Sequence, residues 1–217
     1  HDPARPPFGE CSRLRLYVSN CKLLLQCAPT FCAGTPYTTE AFKMYGSRII
    51  ITAETKEWAM AAAQSVTGFA TSVIGCKCEA GIETEILPKE SPDLRPGVSV
   101  LLFAMDSENL GKRLMERIGQ CVMTCPSTAC YNGIDEGNEI VVGGQLRYFG
   151  DGYQISKKIA NKRLWRIPVM DGEFLVDDIF KLKEAVGGGN ILILAKDQNT
   201  ALKAAKSAVK AMREIPN

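Results

Sequence analysis

The stretch Thr67–Glu83, TGFATSVIGCKCEAGIE, crowds Gly68, Gly75, Gly81, Cys76, Cys78, Glu79 and Glu83 into one turn-rich passage. Four chemistries use such residues: a metal site, a thiol nucleophile, a phosphate cradle or a carboxylate pocket. Cys76-x-Cys78 and the trio Cys121, Cys125 and Cys130 do not follow common zinc spacings, and the single histidine is His1, so a mixed Cys/His site is disfavoured and no metal is expected. The missing imidazole also removes a histidine-based triad and an imidazole-activated cysteine. Any proton traffic therefore runs through carboxylates, amines, tyrosines or the substrate. The nine cysteines are odd in number, contain no Cys-x-x-Cys pair and sit in a 217-residue chain, which favours reduced, mostly buried packing residues.

A chain that is 46% hydrophobic can bury a core of one or two domains. Lys+Arg 26 against Asp+Glu 24 leaves a formal charge of +2, too little to steer the chain toward nucleic acid or a lipid surface. The most apolar window, Leu14–Ala33, is interrupted by Asn20, Lys22 and Gln26 and falls short of a membrane span. A soluble, cytoplasmic protein is expected.

These side chains need elements to position them. Residues 1–37 hold neither a helical nor a strand period and carry Pro3, Pro6, Pro7 and Pro29, so an extension that is unstructured or foreign to the fold is expected there. Beyond it, SRIIIT predicts a strand. Trp58, Ala62, Val66 and Phe69 place an apolar stripe on a helix over Lys56–Phe69. TSVIGCKCEAGIETEIL predicts extended chain and VSVLLFA a strand, while Leu110, Leu114, Ile118 and Val122 mark a helix beginning near Ser107. A short strand near Ala129–Tyr131 completes β-α-β-β-α-β. That order predicts an α+β fold with a ferredoxin-like split βαβ sandwich lobe. Further on, EIVVGGQLRYFG and RLWRIPVM predict a hairpin around SKKIANK, and GGGN opens the strand ILILA. Asn199 caps a helix to Ile215 whose apolar face is Leu202, Ala205, Val209 and Met212. These last elements predict the start of an incomplete second α/β lobe. The expected division is 1–37 extension, 38–170 ferredoxin-like lobe and 171–217 second lobe.

TGFATSVIGCKCEAGIE, SPDLRPGV, ERIGQCVMTCPSTACYNG and LRYFGDG, in this order and spacing, closely resemble the formylmethanofuran–tetrahydromethanopterin formyltransferase family from about Thr39 to Met212. The resemblance implies transfer of a formyl group between the amine of methanofuran and the position-five nitrogen of tetrahydromethanopterin, in methanogenesis or methylotrophic one-carbon metabolism. It implies no bound cofactor, methanofuran and tetrahydromethanopterin being co-substrates. It also implies a homotetramer of two-lobed subunits and, in bacteria, association with other formyltransferase/hydrolase subunits. A non-catalytic ferredoxin-like ligand-binding or interaction module is the alternative. The family's second lobe continues beyond the helix that ends this chain, so the chain alone is expected to be inactive and poorly assembled, and no catalytic residue is assigned.

Transfer between two amines passes through a tetrahedral oxyanion, which calls for N–H donors and one proton handler. Glu79 is the carboxylate candidate, with a glycine-permitted bend bringing backbone N–H groups beside it; the competing reading has Gly75 and Gly81 only permitting the bend and Glu79 capping a turn. Thr124, Ser127 and Thr128 suit a polar cofactor arm or ordinary turn chemistry. Arg95 suits a substrate carboxylate or a surface ion pair. Asp151 in FGDGY shapes a turn or touches substrate. Leu94 stands where the family usually has glycine, at a cost of about 1 kcal/mol if its φ is positive.

Overall fold

The computed structural model describes residues 12–17, 37–159, 162–170 and 172–214. In chain order the elements are β1 (Ser12–Tyr17), β2 (Tyr37–Thr52), α1 (Lys56–Thr67), β3 (Thr71–Ser72), α2 (Val73–Cys76), β4 (Cys78–Ile86), β5 (Gly97–Ala104) and α3 (Ser107–Arg117). There follow β6 (Ala129–Asn132), β7 (Asn138–Val141), α4 (Gly143–Leu146), β8 (Ile155–Ile159), β9 (Lys162–Val169), β10 (Gly172–Asp177), β11 (Ile179–Ala195) and α5 (Gln198–Arg213). They divide into a unit formed by Lys43–Gly187 and one formed by His1–Phe42 with Gly188–Asn217.

In the larger unit β4, β5, β2 and β6 lie side by side, each antiparallel to the next. With α1 between β2 and β4, and α3 between β5 and β6, this is the split βαβ order that the periodicity predicts. β10 then adds parallel to β6, and β9 and β8 follow antiparallel. The period of two in β2 sorts its residues: Ile49 and Ile51 point into the helix-covered core, while Arg48, Ile50 and Thr52 share the other face. Helix starts follow side-chain capping. Thr55 accepts from the Trp58 N–H, and Asp106 accepts from the Asn109 N–H at 2.8 Å. The core joins Ile49, Ile51, Val98, Val100 and Leu102 of the sheet to Ala59, Ala62, Ala63 and Val66 of α1 and Leu110, Leu114, Ile118 and Val122 beyond.

Several expectations need correction. Trp58 and Phe69 are exposed, because α1 lies on the sheet through its small residues Ala59, Ala62 and Ala63, which allow closer approach than an indole would. TSVIGC is not extended throughout: Ser72 caps the single turn α2. EIVV and RLWR do not pair. β7 pairs with Ile179–Leu182 of β11, and the lysine-rich stretch read as a polar linker is itself strand β8, antiparallel to β9. Local sequence marks a strand but not its partner.

In the smaller unit, β1 runs antiparallel to Asn190–Ala195 of β11, so part of the stretch expected to be without structure forms a strand. The remainder of residues 1–36 lies outside the described residues. The cap of α5 is Asp197, not Asn199, accepting from the Thr200 N–H at 2.8 Å, and its buried residues include Ala201 and Ala205 while Leu202 is exposed.

Candidate functional site

The turn between β4 and β5 gathers the densest polar network. The Asp93 Oδ2 accepts from the Thr52 hydroxyl at 2.7 Å, from Arg95 Nε at 2.8 Å and from the Tyr131 hydroxyl at 3.1 Å, and Oδ1 accepts from the Arg95 N–H at 3.3 Å. Arg95 also donates through Nη1 to the Ser127 carbonyl at 2.6 Å and through Nη2 to Thr52 Oγ1 at 3.2 Å. These groups meet because Thr52, Gly97 and Ala129 are register partners at the ends of β2, β5 and β6. Arg95 is thus an internal clamp on Ser127, engaged on all sides. Burial, followed by the Asp93 charge, pushes the Tyr131 phenol above its ordinary value, which keeps it a proton donor.

For Asp93 burial works upward, but bonds from Thr52 and Arg95 and the Arg95 charge outweigh it and hold the carboxyl below its usual range. A depressed carboxylate contributes stability above its unfolded value of about 4, lost as pH falls through the folded value. Asp93→Asn is therefore expected to lose about 2 kcal/mol at pH 7 and to approach the parent protein well below pH 4. Urea unfolding at several pH values checks this; an equal loss at every pH would show that charge is not the cause.

Leu94, in the same turn, has φ +60° and is 73% exposed. A leucine side chain gains little there and strains the left-handed backbone. Leu94→Gly is expected to stabilise by about 1 kcal/mol, read as a raised thermal midpoint.

A second polar group lies on the same sheet face, away from α1 and α3. Glu83 receives Arg48 Nε at 2.6 Å, Arg48 Nη2 at 2.7 Å and the Ser99 hydroxyl at 2.7 Å. The Glu83 side chain is 8% exposed and that of Arg48 37%. Glu83 reaches this position through a bulge: Ile82 pairs with Val100 and Thr84 with Ser99, leaving Glu83 as the extra residue. Its carboxylate lies in the opening stretch, but nothing in the spacing announces the bulge. Asp177, which no motif in the sequence marks, is buried, accepts from the Asn132 N–H at 2.8 Å and is pushed upward by that burial.

The predicted site residues do not converge on one point. Arg95, Ser127 and Thr128 lie together. Ser127, at φ +59°, accepts from the Glu54 N–H, and the buried Thr128 hydroxyl lies 2.6 Å from the Val122 carbonyl and 2.9 Å from that of Cys125. Thr124 donates to the Gln120 carbonyl one turn back. Asp151 closes the turn after Leu146 in a left-handed conformation. Glu79 is half-buried on β4, opposite Thr71 and Phe103, at the far end of the β4–β5 pair from Arg95. The bends of its segment fall at Phe69 and Lys77, both at positive φ, rather than at Gly75. Arg117 holds the first bend by donating to the carbonyls of Val66, Gly68 and Phe69. Cys76 is lowered, first by the Thr71 N–H, and the buried Cys78 is raised by desolvation. Among the described residues no cluster of histidine, cysteine and acidic side chains has metal-binding geometry, and no helix is long and apolar enough to cross a membrane.

A sequence profile described as formylmethanofuran-tetrahydromethanopterin formyltransferase matches residues 35–169, and one described as its proximal lobe matches residues 172–217. The chain belongs to the formylmethanofuran–tetrahydromethanopterin formyltransferase family. A family member from Methylococcus capsulatus is 60% identical over 178 residues, covering 82% of this chain and 60% of that protein. A component of the formyltransferase/hydrolase complex from Methylorubrum extorquens is 49% identical, covering 82% of this chain and 59% of that protein. The crystal structure of the formyltransferase/hydrolase complex from that organism with methylofuran superposes with TM-score 0.67 at 51% identity over 69% of this chain and 50% of that one. The formyltransferase of Methanosarcina barkeri gives TM-score 0.67 at 44% identity over 71% and 52%. The chain thus spans about three fifths of the length of these sequence relatives.

Proposed function

We propose that the protein to which this chain corresponds transfers a formyl group between formylmethanofuran and the position-five nitrogen of tetrahydromethanopterin. The co-linear match of the two family profiles over residues 35–169 and 172–217 supports this most strongly. Both one-carbon carriers are substrates, and no resident cofactor is invoked. The protein's tasks are to hold two amines in register, to offer N–H donors to the tetrahedral oxyanion and to move one proton.

Within this reading Glu79 is the carboxylate proposed to touch substrate. Thr124 and Asp151 are exposed contact positions, and Arg95, Ser127 and Thr128 contribute by fixing the turn on which a polar cofactor arm rests. The lobes are proposed to divide near residue 170, the smaller-unit strand and helix belonging to the second. Assembly into a homotetramer, and with hydrolase subunits in a bacterial host, completes the proposal, as does a cytoplasmic setting.

The decisive experiment measures formyl transfer and carrier binding for this chain beside the full-length Methylococcus relative. Saturable binding of both carriers and turnover in at least the longer protein are expected. Binding without turnover in both would favour a ligand-binding module, and no binding of either carrier would sink the reading.

A further inference from the structure

The β8–β9 hairpin carries a surface that formyl transfer does not explain. β8 ends the strand order, and among the described residues it pairs only with β9, so one row of its backbone N–H and carbonyl groups is unpaired. In a chain of nearly balanced charge, residues 152–170 contain Lys157, Lys158, Lys162, Arg163 and Arg166 and no acidic residue. Arg163 and Arg166 find Asp178 and Glu173, whereas no ion pair among the described residues reaches Lys157 or Lys158. Lys158 is moreover the register partner of Arg163, a like-charge juxtaposition that costs stability unless negative charge is brought to it. Beside the lysines, Ile155 and Ile159 are 53% and 51% exposed, and Tyr153 is 79% exposed at the strand's entrance.

Edge lysines commonly keep a strand from pairing with another. That role accounts for Lys157 and Lys158 but not for the exposed isoleucines on the same face as Lys157. Lysines that repel a basic strand attract an acidic one. We propose that the free edge of β8 takes up an extended acidic segment of a different chain as an added strand. Two adjacent carboxylates lie against Lys157 and Lys158, and apolar residues lie beside Ile155 and Ile159. Because side chains alternate faces, the occupant reads apolar-x-acidic-acidic-apolar in one chain direction or the other.

A second copy of this chain does not offer that pattern on an accessible strand: Leu175–Ile179 matches it but is engaged within the fold. Its adjacent acidic pairs are Asp135–Glu136 and Asp177–Asp178. The first is followed by Gly137 and Asn138 in place of the required apolar residue. The second lies at the end of β10, which is paired on both sides, with Asp177 buried on the Asn132 N–H and Asp178 bonded to the Trp165 indole. Neither acidic pair of these 217 residues is therefore the occupant. This inference stands apart from the catalytic proposal, and activity does not enter its test.

The probe is a labelled acetylated peptide VTEEV, with VTQQV as its neutral counterpart, titrated against the whole chain by fluorescence anisotropy. VTEEV is expected to bind, to weaken about tenfold between roughly 50 and 500 mM salt, and to slow amide exchange in β8. The Lys157→Gln/Lys158→Gln variant, checked for native circular dichroism, is expected to bind about tenfold more weakly, and Lys157→Glu/Lys158→Glu not at all. Equal binding of VTQQV, unaltered binding by the glutamine variant, or no binding of VTEEV overturns the proposal. So does β8 protection that rises with protein concentration in the absence of peptide, which would make a second copy the occupant.

Discussion

Arg48→Ala is expected to destabilise the protein by about 3 kcal/mol, because it strands the Glu83 carboxylate in a site from which water is nearly excluded. Two charged hydrogen bonds, at 2.6 and 2.7 Å, vanish together, and the Ser99 hydroxyl does not replace them. Lysine cannot restore the fork-to-fork geometry, so Arg48→Lys should recover only part of the loss. The size of the effect does not make the ion pair a net source of stability. Arg48→Met, Glu83→Leu and Ser99→Ala combined remove the buried charge together with these two partners and should fall within about 1 kcal/mol of the parent. Urea unfolding of the four proteins checks this; a combined variant as unstable as Arg48→Ala would show that the pair itself stabilises the fold.

Gly143→Ala should cost a similar amount, about 3 kcal/mol, by a different route. α4 starts where Val142 and Gly143 both donate to the Asp178 carbonyl, pressing the chain onto the junction of β10 and β11. A methyl group at Gly143 would collide with the Asp177 carbonyl oxygen and meet the Asp177 carbonyl carbon and Asp178 Cα at 3.0 Å. All three are backbone atoms and cannot swing aside as a side-chain tip would. At Gly75, where nothing lies within 4 Å, the same substitution should be close to neutral. Thermal midpoints of the two variants, measured together, separate steric conflict from any general effect of replacing glycine.

The ferredoxin-like order was legible because its signals are local. A β-branched run marks β2, an apolar stripe starting near Ser107 marks α3, and their sequence leaves few ways to pair four strands. Partnership beyond that lobe was not. EIVV and SKKI read as a strand and a linker, while the choice of β11 and β9 as their partners rests on contacts distant in sequence. Trp58 misled because apolar residues flank both sides of α1 and only packing selects alanine for the core. At the candidate site, Arg95 was readable as half of an ion pair. That Thr52 and Tyr131 close around the same Asp93 follows from the registers of β2 with β5 and β6, which no spacing encodes.

The bulge in β4 also bears on how the gene can change length. Pairing is continuous up to Ile82 with Val100 and resumes at Thr84 with Ser99, so excision of codon 83 would leave each remaining partner in place and close the ladder. The shortened strand would align better than the original while leaving the Arg48 guanidinium without its counter-charge. Most single-codon deletions within a strand turn half of it inside out. Here the topology would survive, and what would vanish is one acid. β4 therefore contains a residue that its own architecture does not require, and its place in the reading frame is accounted for by the carboxylate alone.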